Sequence, residues 1–200
     1  MDTRTGHSRD KHDWQQADYA ASWVAKNEGR VERRAAVLDR MMALAPYPKD
    51  RALRVLDVGG GYGFVSAAVL RAFPKAQVTL QDFSAPMIEE AKRYLAAHGA
   101  QMRFVQSDLT DPDWAAGLGP FDLVVSAIAI HNIRKIEAMA ACYRAIRGLL
   151  VPGGWFLDCD HLDKAGGPEK HAAMMRDAGF ANVAMLPGDD ADTPILKAEV

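Results

Sequence analysis

The 200-residue sequence contains only two cysteines, Cys142 and Cys159. That is too few for a disulfide scaffold or a thiolate zinc site, and it fits a reducing compartment. There is no basic surplus either: 24 Lys and Arg stand against 26 Asp and Glu, a formal net charge of -2. Dedicated nucleic-acid binders usually carry a large basic excess, so nucleic acid is not the expected partner. Long apolar runs are missing. The longest, Leu123 to Ile130, is interrupted by Ser126 and is too short to span a bilayer. The stretch Met1–Asp13 is polar and charged, without the apolar segment of a secretory signal. A cytoplasmic protein with no membrane partner is the expectation. The 49% hydrophobic and 25% charged content suits a globular chain that buries its core without covalent staples.

Periodicity divides the chain. Trp14–Lys26 carries Tyr19, Ala20, Trp23 and Val24 at helical spacing, and Val31, Ala35, Leu38, Met42 and Ala45 mark a second helix stopped by Pro46. The division is therefore an N-terminal tail and helical lid over residues 1–50 and a core over 51–200. In the core, strands are expected at Arg54–Val58, Gln77–Phe83, Met102–Leu109, Phe121–Ile130, Trp155–Leu162, Asn182–Leu186 and Pro194–Val200. Helices are expected at Gly63–Phe73, Ala85–His98 (capped by Gly99), Ile136–Leu150 and Pro168–Ala178, with a short helical turn near Pro112–Ala116. Repeated strand–helix alternation implies an α/β sandwich around a mainly parallel sheet. Gly188–Thr193 is too short for a parallel crossover, so the last two strands form a hairpin. Ligands of such sheets bind at the carboxyl ends of the strands, which directs attention to the residues that follow each strand.

After the first strand comes Asp57-Val58-Gly59-Gly60-Gly61-Tyr62-Gly63. Glycine weakens regular structure, so this density points to left-handed turns and close backbone approach to a ligand. The dinucleotide pattern G-x-G-x-x-G fails in either register, because Phe64 or Ser66 stands where its third glycine belongs. The spacing that fits is acidic-x-Gly-x-Gly-x-Gly on Asp57, Gly59, Gly61 and Gly63. Asp82 follows the second strand, about twenty residues on, where one carboxylate suits both hydroxyls of a ribose. Ser84 reads as a helix N-cap with Pro86 in the first turn.

With this loop the chain resembles the class I S-adenosylmethionine-dependent methyltransferases. Gln81-Asp82-Phe83-Ser84-Ala85-Pro86-Met87 resembles the family's second motif, and Ser107-Asp108-Leu109 its third-strand exit. Phe121–Ser126 resembles its fourth strand, and Leu149–Gly154 its leucine-x-Pro-Gly-Gly turn. The resemblance covers roughly Arg54 to Val200. It implies a Rossmann-like three-layer sandwich with sheet order 3-2-1-4-5-7-6, the last strand antiparallel, and S-adenosyl-L-methionine as cofactor. It assigns Asp57, Gly59, Gly60, Gly61, Gly63 and Ser126 to the cofactor site. Asp82 would hold the ribose, Phe83 and Met87 flank the adenine, and Asp108 and Leu109 meet its amino group and ring nitrogen.

The acceptor side carries fewer signals. Methyl transfer from a sulfonium is an in-line displacement that needs orientation more than acid–base help. His131, after the fourth strand, is the candidate base should the acceptor be a hydroxyl or protonated amine. Trp14, Tyr19 and Trp23 are candidates to wall the acceptor pocket. Strand alternation sends Asp160 and His161 to opposite faces, so they read as solvated loop-edge charges and no metal site is assigned. Arg30, Arg33, Arg34 and Arg40, mixed with Glu32 and Asp39, read as a solvated helix face. Asp189, Asp190 and Asp192 read as a solvated hairpin turn. No Asn/Asp-Pro-Pro-Tyr run follows the fourth strand. A small-molecule acceptor is therefore the leading reading. A non-catalytic cofactor-binding module and a nicotinamide-type oxidoreductase are the alternatives.

Overall fold

A computed structural model describes residues 13–28, 31–188 and 193–200. Helices α1 (Ala17–Glu28) and α2 (Val31–Ala43) come first. The sheet then begins with β1 (Arg54–Val58), α3 (Phe64–Ala72), β2 (Gln77–Asp82), α4 (Ala85–Tyr94) and β3 (Met102–Gln106). It continues through β4 (Phe121–Ala127), α5 (Ile136–Leu149), β5 (Leu150–Cys159), α6 (Pro168–Asp177), β6 (Ala181–Leu186) and β7 (Ile195–Glu199). The seven strands lie in the order β3-β2-β1-β4-β5-β7-β6. β1 to β5 run parallel, and β7 pairs antiparallel with both β5 and β6. Fold and strand order are those expected.

Both faces of the sheet are covered, which is why its central strands read as continuous apolar runs. Val55, Leu80, Leu123, Val125 and Leu157 pack with α3, α4 and the residues Ala20, Leu38, Met41 and Met42 of α1 and α2. The N-terminal helices therefore share the core of the sheet. Leu56, Val58, Val124, Phe156 and Leu196 face α5 and α6 through Met139, Tyr143, Ile146 and Met175. Each such fully buried side chain contributes about 1.5–3 kcal/mol relative to exposure. No helix among the described residues is long and apolar enough to cross a membrane.

Several boundaries differ from expectation, most by one residue, and β5 ends at Cys159 instead of Leu162; the larger shifts have local reasons. α4 stops at Tyr94, and Ala96–Gln101 tightens into 3-10 turns kinked at His98. There the Gln101 amide ties the segment to the carbonyls of Pro74 and Ala76, so Gly99 lies within a 3-10 segment instead of capping α4. β3 ends at Gln106, because Asp108 turns back to accept hydrogen bonds from the N–H and hydroxyl of Thr110, both at 2.8 Å. β4 ends at Ala127, since Ile128 takes a left-handed conformation (φ 55°) and a 3-10 turn, Ile130–Ile133, follows. β5 starts early at Leu150, with a register shift across the Pro-Gly-Gly turn. Near Pro112–Ala116 there are hydrogen-bonded turns but no helix.

Candidate active site

The glycine loop is folded by hydrogen bonds to the end of β2. Gly59 N–H donates to the Gln81 side-chain carbonyl at 3.0 Å. Gly60 N–H donates to the Gln81 backbone carbonyl at 2.9 Å. Gly61 N–H donates to Asp82 Oδ2 at 2.8 Å. Loops that cradle phosphate need such successive N–H groups turned outward to the anion. Here all three are engaged by protein acceptors, so the loop offers a ligand close backbone approach and not an anion nest. Gly59 and Gly61 are both left-handed, at φ 63° and 53°.

Asp57 lies beneath this loop and is fully buried. Its Oδ2 accepts from the Ser66 hydroxyl at 2.6 Å. Burial pushes its carboxyl up to about 7; the hydrogen bonds from Ser66 oppose the rise and the Asp82 charge adds to it.

Asp82 is only 7% exposed yet lines the cavity at the sheet edge. Its second oxygen accepts from the Ser84 N–H at 2.9 Å. Each oxygen therefore keeps lone-pair capacity for one more donor. Burial raises its carboxyl above the usual range, against the hydrogen bonds from Ser84, Gly61 and Phe83 that lower it. Ser84 caps α4 by accepting from Met87 N–H, and its hydroxyl donates to the Trp14 carbonyl. That bond fixes Trp14 over the end of β2. Phe83, Met87, Asp108 and Leu109 line the same wall.

The facing wall comes from the tips of β4 and β5. His131 Nδ1 lies 2.5 Å from Asp160 Oδ1, and His131 N–H donates to Asp160 Oδ2 at 2.9 Å. Asp160 also accepts from His161 N–H at 2.8 Å and is fully buried. As an acceptor for two backbone donors, it fixes His131 with Nδ1 as the protonated nitrogen. Asp160 and His161 are thus not solvated edge charges: Asp160 is buried under the imidazole, and His161 lines the cavity beside it. The cavity holds about 870 Å³. That lies toward the upper part of the roughly 300–1,000 Å³ usual for ligand sites, leaving room for two small ligands side by side.

Of the residues singled out from sequence, Gly59, Gly60, Gly61, Asp82, Phe83, Met87, Asp108, Leu109, His131, Trp14 and Trp23 all line this one cavity. Asp57, Gly63, Ser126 and Tyr19 stand behind it. Gly63 caps α3, and Tyr19 packs edge-on against Trp14 at 5.2 Å. Ser126 is buried next to its β5 register partner Asp158. Burial drives the Asp158 carboxyl well above its usual range, and the nearby Asp160 adds to this. Arg34 departs from the solvated-face reading, since it lines the cavity with its guanidinium 5.5 Å over the Trp23 ring. Arg30, Asp189, Asp190 and Asp192 lie outside the described residues. Gln81 and Asp160 were missed. The available signal for Asp160 was its position at the tip of the strand beside the one that carries His131.

A seven-stranded sheet in this order, with a reversed β7 and an acid-flanked glycine loop at its carboxyl edge, is the architecture of Rossmann-like methyltransferases. Residues 55–154, half of the chain, match the family described as "Methyltransferase domain", and the chain belongs to that family. Among curated relatives, malonyl-[acyl-carrier protein] O-methyltransferase of Magnetococcus marinus is 34% identical over 116 residues, 54% of this chain and 42% of that one. Ribosomal RNA small subunit methyltransferase C of Salmonella choleraesuis is 36% identical over 108 residues, 54% of this chain and 29% of that one. The chain thus spans less than half the length of either relative. Among solved structures, PigF with SAH superposes with a TM-score of 0.73 at 18% identity, covering 96% of this chain and 63% of that one.

Proposed function

We propose that the protein methylates a hydroxyl group on a small molecule, with S-adenosylmethionine as donor and His131 as the base. The observation that carries this reading is the His131–Asp160 pair. It stands on the cavity wall opposite Asp82 and Asp108. An imidazole oriented by a buried carboxylate is suited to taking a proton, which a hydroxyl acceptor must lose and a thioether acceptor does not.

S-adenosylmethionine, when bound, supplies a methyl group on a cationic sulfur. Asp82 holds the ribose hydroxyls with the lone pairs that Gly61 and Ser84 leave open. Phe83 and Met87 flank the adenine, Asp108 accepts its amino group, and the Leu109 N–H meets a ring nitrogen. The left-handed backbone at Gly59 and Gly61 allows close approach. His131, its Nδ1–H held by Asp160, presents Nε2 to the acceptor hydroxyl and receives its proton. Trp14 and Trp23 wall the acceptor side, with α1 and α2 as the cover and the sheet from β1 onward as the cofactor-binding core. The engaged N–H groups of the loop speak against a pyrophosphate and hence against the oxidoreductase alternative.

Two measurements test this. Calorimetry with S-adenosylmethionine and S-adenosylhomocysteine comes first, and absence of binding to folded protein would sink the proposal. Tritiated methyl transfer is then followed in a metabolite extract and in total RNA. Label in a small product that base hydrolysis does not release, but that hydriodic acid releases as methyl iodide, supports an ether product. Label confined to RNA would move the acceptor to nucleic acid. Binding without any labelled product would favour the non-catalytic module.

A further inference from the structure

We propose that Gln81 is a positioning residue that sets the spacing between the two halves of the cofactor site; the inference rests on the proposed use of S-adenosylmethionine. Gln81 is fully buried near the end of β2, between Val58 of β1 and Val105 of β3. An apolar side chain is the ordinary occupant of such a position, because a buried amide is unfavourable unless its hydrogen bonds are made. Both are made, and they run to opposite sides. Oε1 accepts from Gly59 N–H at 3.0 Å, and Nε2 donates to the Ser107 carbonyl at 2.6 Å.

Gly59 opens the glycine loop, and Ser107 immediately precedes Asp108 and Leu109. One rigid amide therefore bridges the loop that approaches the donor's sulfur and ribose side to the segment that meets its purine. Its orientation is determined, since a flipped amide would set donor against donor and carbonyl against carbonyl. The bridge reaches the other wall too. The Gly59 Cα packs so closely on Ala129 that an added Cβ would lie 2.5 Å from the Ala129 Cβ, two residues before His131. Moving Gly59 thus moves the base relative to the donor. Gln81 acts through these neighbours and is assigned no part in the chemistry.

The test uses S-adenosylhomocysteine binding by calorimetry on wild type, Gln81→Met and Gln81→Glu, from pH 5.5 to 8.5, with thermal melting to confirm folding. Gln81→Met fills similar space without either hydrogen bond, and its affinity is expected to fall at least about tenfold, the equivalent of about 1.4 kcal/mol. Gln81→Glu separates hydrogen bonding from packing. Protonated, it presents one acceptor and one donor as the amide does; ionised, it turns only acceptors to the Ser107 carbonyl. The ratio of wild-type to Gln81→Glu affinity is therefore expected near one at the acid end and to grow steadily with pH. Titrations common to the two proteins cancel in the ratio, and coupling of a carboxyl at residue 81 to Asp57 and Asp82 raises that carboxyl, in the same direction as its burial. Gln81→Met binding within about twofold of wild type, or a Gln81→Glu ratio that stays near one up to pH 8.5, overturns the assignment. If Gln81→Met does not fold, the Gln81→Glu series decides alone. A wild type that binds no S-adenosylhomocysteine refutes the proposed function itself, a separate outcome.

Discussion

Gly59→Ala tests the packing of the two walls directly. The residue is left-handed, at φ 63°, and a Cβ there would lie 2.5 Å from the Ala129 Cβ. Ordinary contact begins near 3.4 Å, so something must move by about an ångström. Neither atom is the end of a flexible side chain, and the movement falls on the backbone. The left-handed conformation costs an alanine roughly 1–2 kcal/mol, and overpacking adds about 1–3 kcal/mol. Gly61→Ala is the internal control, with φ 53° and nothing within 4 Å of the added carbon. It should carry the conformational cost alone. Urea unfolding of the three proteins is expected to show Gly59→Ala less stable than Gly61→Ala by about 1–3 kcal/mol, a midpoint shift on the order of 1 M for typical slopes. Methyl transfer by Gly59→Ala should fall by about a hundredfold, because an ångström of misplacement at a reacting group has that effect. Equal destabilisation by the two substitutions would refute the reasoning, since it would mean that Gly59 and Ala129 are not in contact.

Three further outcomes follow from the same geometry. Asp160→Asn must turn an amide NH₂ toward one of three donors, the His131 N–H, the His131 Nδ1–H and the His161 N–H; kcat is expected to drop about 10²–10⁴-fold with little change in S-adenosylhomocysteine affinity, and an unchanged pH–rate profile would remove His131 from the role of base. Asp82→Asn loses an acceptor that Gly61, Ser84 and the ribose share, and calorimetry should show at least about a tenfold weaker S-adenosylhomocysteine complex; equal affinity would mean the ribose lies elsewhere. Asp57 titrates near 7 in the folded protein and near 3.9 when unfolded. Between those values the folded state holds the extra proton, so wild-type stability falls by up to about 1.4 kcal/mol per pH unit as pH rises, and levels off above 7. Asp57→Asn lacks this titration, and its stability relative to wild type should climb from pH 5 to 7 and then stay flat; a constant difference in urea unfolding would place the Asp57 titration outside that window.

The sheet was legible because its information is local and repeated. Arg54–Val58 is apolar on both faces apart from the exposed Arg54 at its start and Asp57, a short glycine turn follows, and the hairpin between β6 and β7 is too short for a crossover. Strand ends were less legible, because they depend on groups far away in sequence. Ile128 leaves β4 although its apolar neighbours extend the strand pattern, and its N–H still donates to the Cys159 carbonyl on β5. Nothing between Phe121 and Ile130 announces that partner. The wall assigned from the family resemblance came from three motifs, each next to a strand tip, and their residues line one cavity. The opposite wall was half read: His131 stood out by its position, but Asp160 was judged by alternation along its own strand. What decides its role is the neighbouring tip of β4. Gln81 left no signal, since a glutamine at the end of a strand is unremarkable until its burial and its two partners are known.

Strain is concentrated where these walls meet. Ile128 and Arg134, both non-glycine residues in the left-handed region at φ 55° and 61°, bracket the turn that carries His131. For a β-branched side chain that conformation is a true outlier, and each such residue costs on the order of 1–3 kcal/mol. Such strain persists only when surrounding contacts overdetermine it. The contacts here are the Ile128 N–H to Cys159, the Asn132 amide to the Ile128 carbonyl at 3.3 Å, the Asp160 carboxylate to His131, and Ala129 against Gly59. The last of these ties the strained turn to the loop that Gln81 holds. His131 therefore does not sit on an independent surface loop. Its turn is held against the glycine loop by close packing at one glycine. Glycine at residue 59 thus serves the turn that carries His131 as well as its own left-handed loop.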